Sequence, residues 1–223
     1  MSVKENLEIL KSQLNENVRL VAVSKTKPDE MVQEAYEAGQ RIFGENKVQD
    51  MVDREGRLPS DIQWHFIGHL QRNKVKYLAP FINTIQAVDS LRLLKEIEKH
   101  ARANQRVINC FLQFHIALEE SKFGLSIDTA KQILMSEEYK NMEHIKIGGV
   151  MGMATFTDDM DKVRGEFKTL RKYFDLIKNE FFNDDDNFCE ISMCMSGDYK
   201  IAIEEGSTLI RVGTAIFGER EKH

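Results

Sequence analysis

The chain has 223 residues, 42% hydrophobic and 30% charged, with only 13 glycines and 3 prolines; this excludes disordered, collagen-like and linker-rich architectures and fits one domain better than two. Lysine and arginine number 31 against 36 acidic residues, a formal net charge of −5, so no basic surplus exists for a phosphate backbone and nucleic acid is disfavoured as the main partner. Cys110, Cys189 and Cys194 are odd in number and form no C-x-x-C pair, which suits a reducing, cytoplasmic compartment; the charged opening residues lack a signal-peptide core, and no stretch approaches the roughly 18 apolar residues of a membrane span.

Short β-branched or apolar runs recur along the chain, each followed by a charged stretch of helical periodicity. Strands are predicted at 18–24, 41–44, 63–68, 84–88, 107–115, 145–150, 188–193 and 209–212. Helices are predicted at 28–38, 90–103, 127–135, 161–180 and 198–204, opened by Pro, Ser or Asp as helix N-termini favour. Eight βα units in a chain of this length match a minimal (β/α)₈ barrel, a TIM barrel, spanning residues 1–223 as a single domain. A doubly wound open sheet is the alternative, because periodicity does not encode closure. The acidic run 183–187 reads as a solvated loop, since it lacks the alternating ligands and turn glycine of a calcium loop.

Several positions carry candidate chemistry. Lys25 stands where the first strand meets its βα loop, the catalytic face of a barrel, and the like charge of Lys27 favours a lowered amine pKa there, as a Schiff-base lysine requires. The segments Met195-Ser-Gly-Asp198 and Arg211-Val-Gly-Thr214 follow the seventh strand and end the eighth, where barrels most often bind phosphate through backbone N–H groups, a hydroxyl and a close-approaching glycine. His65 and His69 straddle a strand end, a spacing that does not bring both rings to one metal, so no metal is expected. Ser196 lacks the glycine flanks of a nucleophile elbow, and no Walker A or Rossmann glycine pattern is present.

Together, the segments 22–28 (AVSKTKP), 43–46 (FGEN), 64–74 (WHFIGHLQRNK), 122–124 (KFG), 148–151 (GGVM), 195–198 (MSGD) and 211–218 (RVGTAIFG) resemble the pyridoxal 5′-phosphate (PLP) homeostasis proteins. The likeness runs nearly the whole chain. It implies the PLP fold type III barrel of the alanine racemase N-terminal domain, without the C-terminal β domain of racemases. It also implies PLP held as a Schiff base on Lys25, with Ser196, Gly197, Gly213 and Thr214 at the phosphate, Arg211 facing the pyridine nitrogen, and Asn46 and Met151 lining the pocket. The sequence departs from the family pattern at Lys47, where an aromatic residue is more usual, and at Cys194, where glycine is more usual.

The resemblance implies a carrier that buffers and delivers PLP, with PLP-dependent apoenzymes as partners, rather than an enzyme. Racemases that share this barrel draw a second base, a tyrosine, from a further domain, and here ten residues follow Gly213. An amino-acid racemase is the alternative; a barrel acting on a phosphorylated metabolite without PLP is a more distant one. No strong interface signal stands out, so a monomer is expected.

Overall fold

The computed structural model describes residues 1–117, 123–194 and 197–219. Among them, eight strands hydrogen-bond in parallel and in chain order: β1 (Arg19–Val23), β2 (Ile42–Glu45), β3 (Gln63–Phe66), β4 (Thr84–Val88), β5 (Ile108–Gln113), β6 (Ile145–Met151), β7 (Glu190–Ser192) and β8 (Leu209–Val212). Strand β8 pairs with β1, Leu209 opposite Arg19 and Val212 opposite Ala22, so the sheet closes on itself as a TIM barrel. Closure removes every free sheet edge and rules out the open doubly wound sheet.

The surrounding helices are α1 (Val3–Ser12), α2 (Asp29–Glu37), α3 (Val48–Glu55), α4 (Val75–Leu78), α5 (Leu91–Ala103), α6 (Ile127–Met135), α7 (Glu137–Lys140), α8 (Met160–Phe181), α9 (Tyr199–Glu204) and α10 (Thr214–Phe217). Side chains of Ser90, Ser126 and Asp159 cap α5, α6 and α8 by accepting the backbone N–H three residues on. Helices α1, α3, α4, α7 and α10 go beyond the sequence expectation. In α1, Ser2 and Glu5 form a reciprocal capping box, Val3, Leu7 and Leu10 are buried, and Asn6 Nδ2 donates to the Ile216 carbonyl of α10 at 3.0 Å.

Strand β7 is shorter than the expected 188–193. Its register with β8 is a single pair, Ser192 with Leu209. Side chains extend the seam: Thr208 Oγ1 accepts from Ile191 N at 2.8 Å, and Ser207 Oγ donates to the Ile191 carbonyl at 3.1 Å.

Alternation along the strands separates two apolar regions. Leu20 and Ala22 join the main core between sheet and helices, while Val21 joins Ala87, Phe111, Met151 and Leu209 in a small cluster that plugs the barrel. Beside this plug runs a chain of buried polar groups. Arg211 Nη1 donates to Ser192 Oγ at 2.5 Å, Ser192 Oγ donates to Gln86 Oε1 at 2.6 Å, and Gln86 Nε2 lies 2.8 Å from His65 Nδ1.

Candidate functional site

A cavity of about 500 Å³ opens at the C-terminal ends of the strands, within the range that accommodates a small molecule. Lys25 lines it from the loop after β1. The turn that carries Lys25 passes through Thr26 at φ 64°, a left-handed conformation unusual for a β-branched residue, with Thr26 Oγ1 donating to the Lys25 carbonyl at 2.6 Å. Lys27 also reaches the cavity, but its ammonium donates to the carbonyls of Gly218 at 2.9 Å and Glu219 at 2.7 Å, tying the β1 loop to the end of α10.

Arg211 lines the same cavity from β8, the strand paired with β1, and is only 5% exposed. Its Nη1 donates to the Ser192 carbonyl at 2.9 Å and its Nη2 to the Gly152 carbonyl at 3.1 Å, so the fork is fixed by backbone as well as by Ser192 Oγ. Burial lowers its pKa, yet a guanidinium at this distance from neutrality stays charged and acts as a donor, not as an acid. Gly197, Gly213 and Thr214 line the same cavity from the ends of β7 and β8. A Cβ on Gly213 would come within 3.0 Å of the Val23 carbonyl oxygen, whereas one on Gly197 would meet open space.

Asn46, just past β2, lines the cavity next to Gly68, where an added Cβ would fall 2.3 Å from the Asn46 carbonyl oxygen. Six of the expected residues therefore converge: Lys25, Asn46, Gly197, Arg211, Gly213 and Thr214. Ser196 lies outside the described residues, as does Lys122. Met151 is elsewhere: it is fully buried in the barrel plug, and Met153, two residues on, lines the cavity in its stead. Ile67, Gln113, Phe123 and Phe156 were not expected; Phe123 stacks on His69 at 3.9 Å between ring centroids. Their only sequence signal is position at or just beyond a strand end or in a βα loop. His65 and His69 are divided between the barrel interior, where His65 faces Gln86, and the cavity rim, where His69 Nδ1 lies 3.5 Å from Asp89.

The donor set fits PLP. Lys25 supplies a primary amine suited to an aldehyde, a charged guanidinium and glycine-rich turns suit a phosphorylated ring, and apolar Ile67, Phe123 and Met153 suit its flat faces.

Comparison with known proteins agrees with the fold. The family described as alanine racemase, N-terminal domain, matches residues 1–221. The chain is 35% identical to the pyridoxal phosphate homeostasis protein of Aquifex aeolicus over 91% of this chain and 87% of that one, and 33% identical to that of Schizosaccharomyces pombe over 96% and 91%. Among solved structures, PipY of Synechococcus elongatus superposes with a TM-score of 0.91 without PLP and 0.87 with PLP bound, at 32% identity, covering 97% of this chain and all of that one. Alanine racemase of Clostridium difficile, at 14% identity and TM-score 0.74, shares the fold across 99% of this chain and 60% of its own. The chain belongs to the alanine racemase N-terminal-domain family, within its group of pyridoxal phosphate homeostasis proteins.

Proposed function

We propose that this protein binds PLP through Lys25 and serves as a carrier that buffers the cofactor and hands it to PLP-dependent apoenzymes. The observation that carries this reading is one cavity lined by Lys25, Arg211, Gly197, Gly213 and Thr214 together. When bound, PLP supplies an aldehyde that condenses reversibly with a primary amine, and a ring that withdraws electrons best when its nitrogen is protonated. Lys25 is the amine. Ser196, Gly197, Gly213 and Thr214 hold the phosphate, and Asn46 flanks the ring.

Arg211 faces the ring nitrogen as a fixed donor. Its fork, held by Ser192 and Gly152, keeps its own proton and so would leave the ring a weak electron sink. The rim also favours exchange with the surroundings, for Phe123, Met153 and Phe156 are 43%, 42% and 90% exposed. The relatives that match along most of their length carry the name of homeostasis proteins. In this reading residues 1–223 act as one PLP-binding unit, monomeric and cytoplasmic.

The test is the visible spectrum of the protein with added PLP, followed by borohydride reduction and peptide mapping. A single adduct on Lys25, abolished in Lys25→Ala, is expected; an adduct spread over exposed lysines rejects the reading. Loss of α-deuterium from a labelled amino acid well above the rate with free PLP would instead favour the alternative of a PLP-dependent enzyme, such as an amino-acid racemase.

A further inference from the structure

Arg54, on α3, has a side chain only 8% exposed and spends every arm of its guanidinium on the loop of Lys25 or on the acids that hold it. Its Nη1 donates to the Ser24 carbonyl at 3.0 Å and to the carboxylate of Glu45. Its Nη2 donates to the Lys27 carbonyl, and its Nε pairs with Asp29 at 3.1 Å. Ser24 and Lys27 are the residues on either side of Lys25 and Thr26, so one planar group grips both flanks of the turn. Glu45 is fully buried and accepts a second hydrogen bond, from Ser24 Oγ at 2.6 Å.

The turn needs this grip. Thr26 is held at φ 64°, and a backbone bond across the turn runs from Lys27 N to the Ser24 carbonyl at 3.1 Å. A buried ion pair adds little stability over an apolar pair of the same shape, so stability alone does not account for burying Arg54 against Glu45. At Arg54 two separate nitrogens of one rigid planar fork reach the Ser24 and Lys27 carbonyls while the third pairs with Asp29, a spread that the single nitrogen of an ammonium does not reproduce.

We propose that Arg54 is a positioning residue for Lys25, aimed by Glu45 and Asp29, which fixes the left-handed turn at Thr26 and thereby the point from which the Lys25 amine enters the cavity. The proposal rests on Lys25 as the PLP anchor. Without the clamp Thr26 relaxes towards negative φ, and a displacement of about 1 Å at a reacting atom costs up to about a hundredfold in rate.

The experiment follows the rate of PLP adduct formation on Lys25, trapped with borohydride, in the parent, Arg54→Lys and Asp29→Asn proteins. Affinity for pyridoxine 5′-phosphate, which has no aldehyde, is measured beside it. Arg54→Lys keeps a positive charge opposite Glu45 but loses the planar fork that reaches the two carbonyls and Asp29 from three nitrogens. Its adduct is expected to form at least about tenfold more slowly, with pyridoxine 5′-phosphate affinity within about threefold of the parent. Asp29→Asn, at a partly exposed side chain, tests the same clamp without disturbing the interior and is expected to slow the reaction by about threefold.

Adduct formation at the parental rate in folded Arg54→Lys overturns the proposal, as does an equal loss of pyridoxine 5′-phosphate affinity. If Arg54→Lys fails to fold, the parental rate in Asp29→Asn overturns it. Absence of a Lys25 adduct in the parent is a separate result: it removes the anchor assignment itself.

Discussion

The backbone nitrogen of Arg211 donates to the sulfur of Cys194 at 3.4 Å, joining the end of β7 to β8 where their strand pairing has run out. Cys194 makes this contact from φ 95°, a region glycine enters freely and other residues at a cost of about 1–2 kcal/mol. The glycine that the resemblance leads one to expect here would thus have a backbone cause, and the sulfur contact with burial offsets the strain in this chain. Burial also pushes the thiol up to about 12, so it is chemically quiet. Cys194→Ala keeps the strain and loses the sulfur; a loss of about 1–2 kcal/mol is expected by denaturant titration. Cys194→Gly exchanges packing for relief of strain and should stay within about 1 kcal/mol of the parent.

Arg211 holds its position through Ser192 and Gly152, so its removal should act on the ligand more than on the Lys25 reaction. Arg211→Met preserves bulk and loses a charge-assisted hydrogen bond worth about 1.5–3 kcal/mol, or about 10- to 100-fold in PLP retention. Equilibrium dialysis should show that loss while borohydride still traps the adduct on Lys25. Unchanged retention would remove Arg211 from the site.

How much of this was legible follows from which physical signals are local. The strand-then-loop pattern at 18–25 announces Lys25, and the placements of Gly197, Arg211, Gly213 and Thr214 follow from two strand ends. Met151 shows the limit: alternation tells which side of a strand a side chain takes, not its depth along the barrel axis, and Met151 lies in the plug while Met153 reaches the cavity. Arg54 is invisible for a different reason. It is one charge in a charged amphipathic helix, and its role arises from contacts to residues 24, 27 and 45 that only closure of the fold brings near. Helices α4, α7 and α10, four residues each, fall below any periodic window. Helix α1, by contrast, carries a readable signature in Ser2, Glu5 and the spacing of Val3, Leu7 and Leu10.

Gly68 sets the seat of Asn46. With 2.3 Å between an added Cβ and the Asn46 carbonyl oxygen, Gly68→Ala must push one loop off the other. A destabilisation of about 1–3 kcal/mol is expected from the overpacking, together with weaker PLP retention, since both residues line the cavity. Thermal melting and dialysis on the same sample check the pair; retention unchanged at lowered stability would take Asn46 out of the ligand contacts.

His65 makes the polar chain in the barrel sensitive to acid. Burial, with Arg19 nearby, pushes its pKa down to about 3, so the ring is neutral at ordinary pH, Nδ1 accepts from Gln86 Nε2, and Gln86 Oε1 is left to accept from Ser192. A proton on Nδ1 would set donor against donor. The unfolded chain takes up this proton near the ordinary histidine value of about 6.5, well before the folded chain does, so over the window between the two the unfolded state binds more protons and stability falls as pH falls. The slope approaches one proton, about 1.4 kcal/mol per pH unit. Asp29, whose carboxyl is held below its usual range chiefly by the hydrogen bond from Arg57, also loses stability in acid, but only below the ordinary carboxylate range. Between about pH 6.5 and about pH 4 the histidine does not act alone, because burial raises the Glu45 carboxyl towards that interval, so its share is read from the difference between the parent and His65→Gln. Denaturation of the parent and of His65→Gln across that interval should give a steeper loss in the parent by up to one proton, and superimposable profiles would show that the buried ring does not carry the acid response.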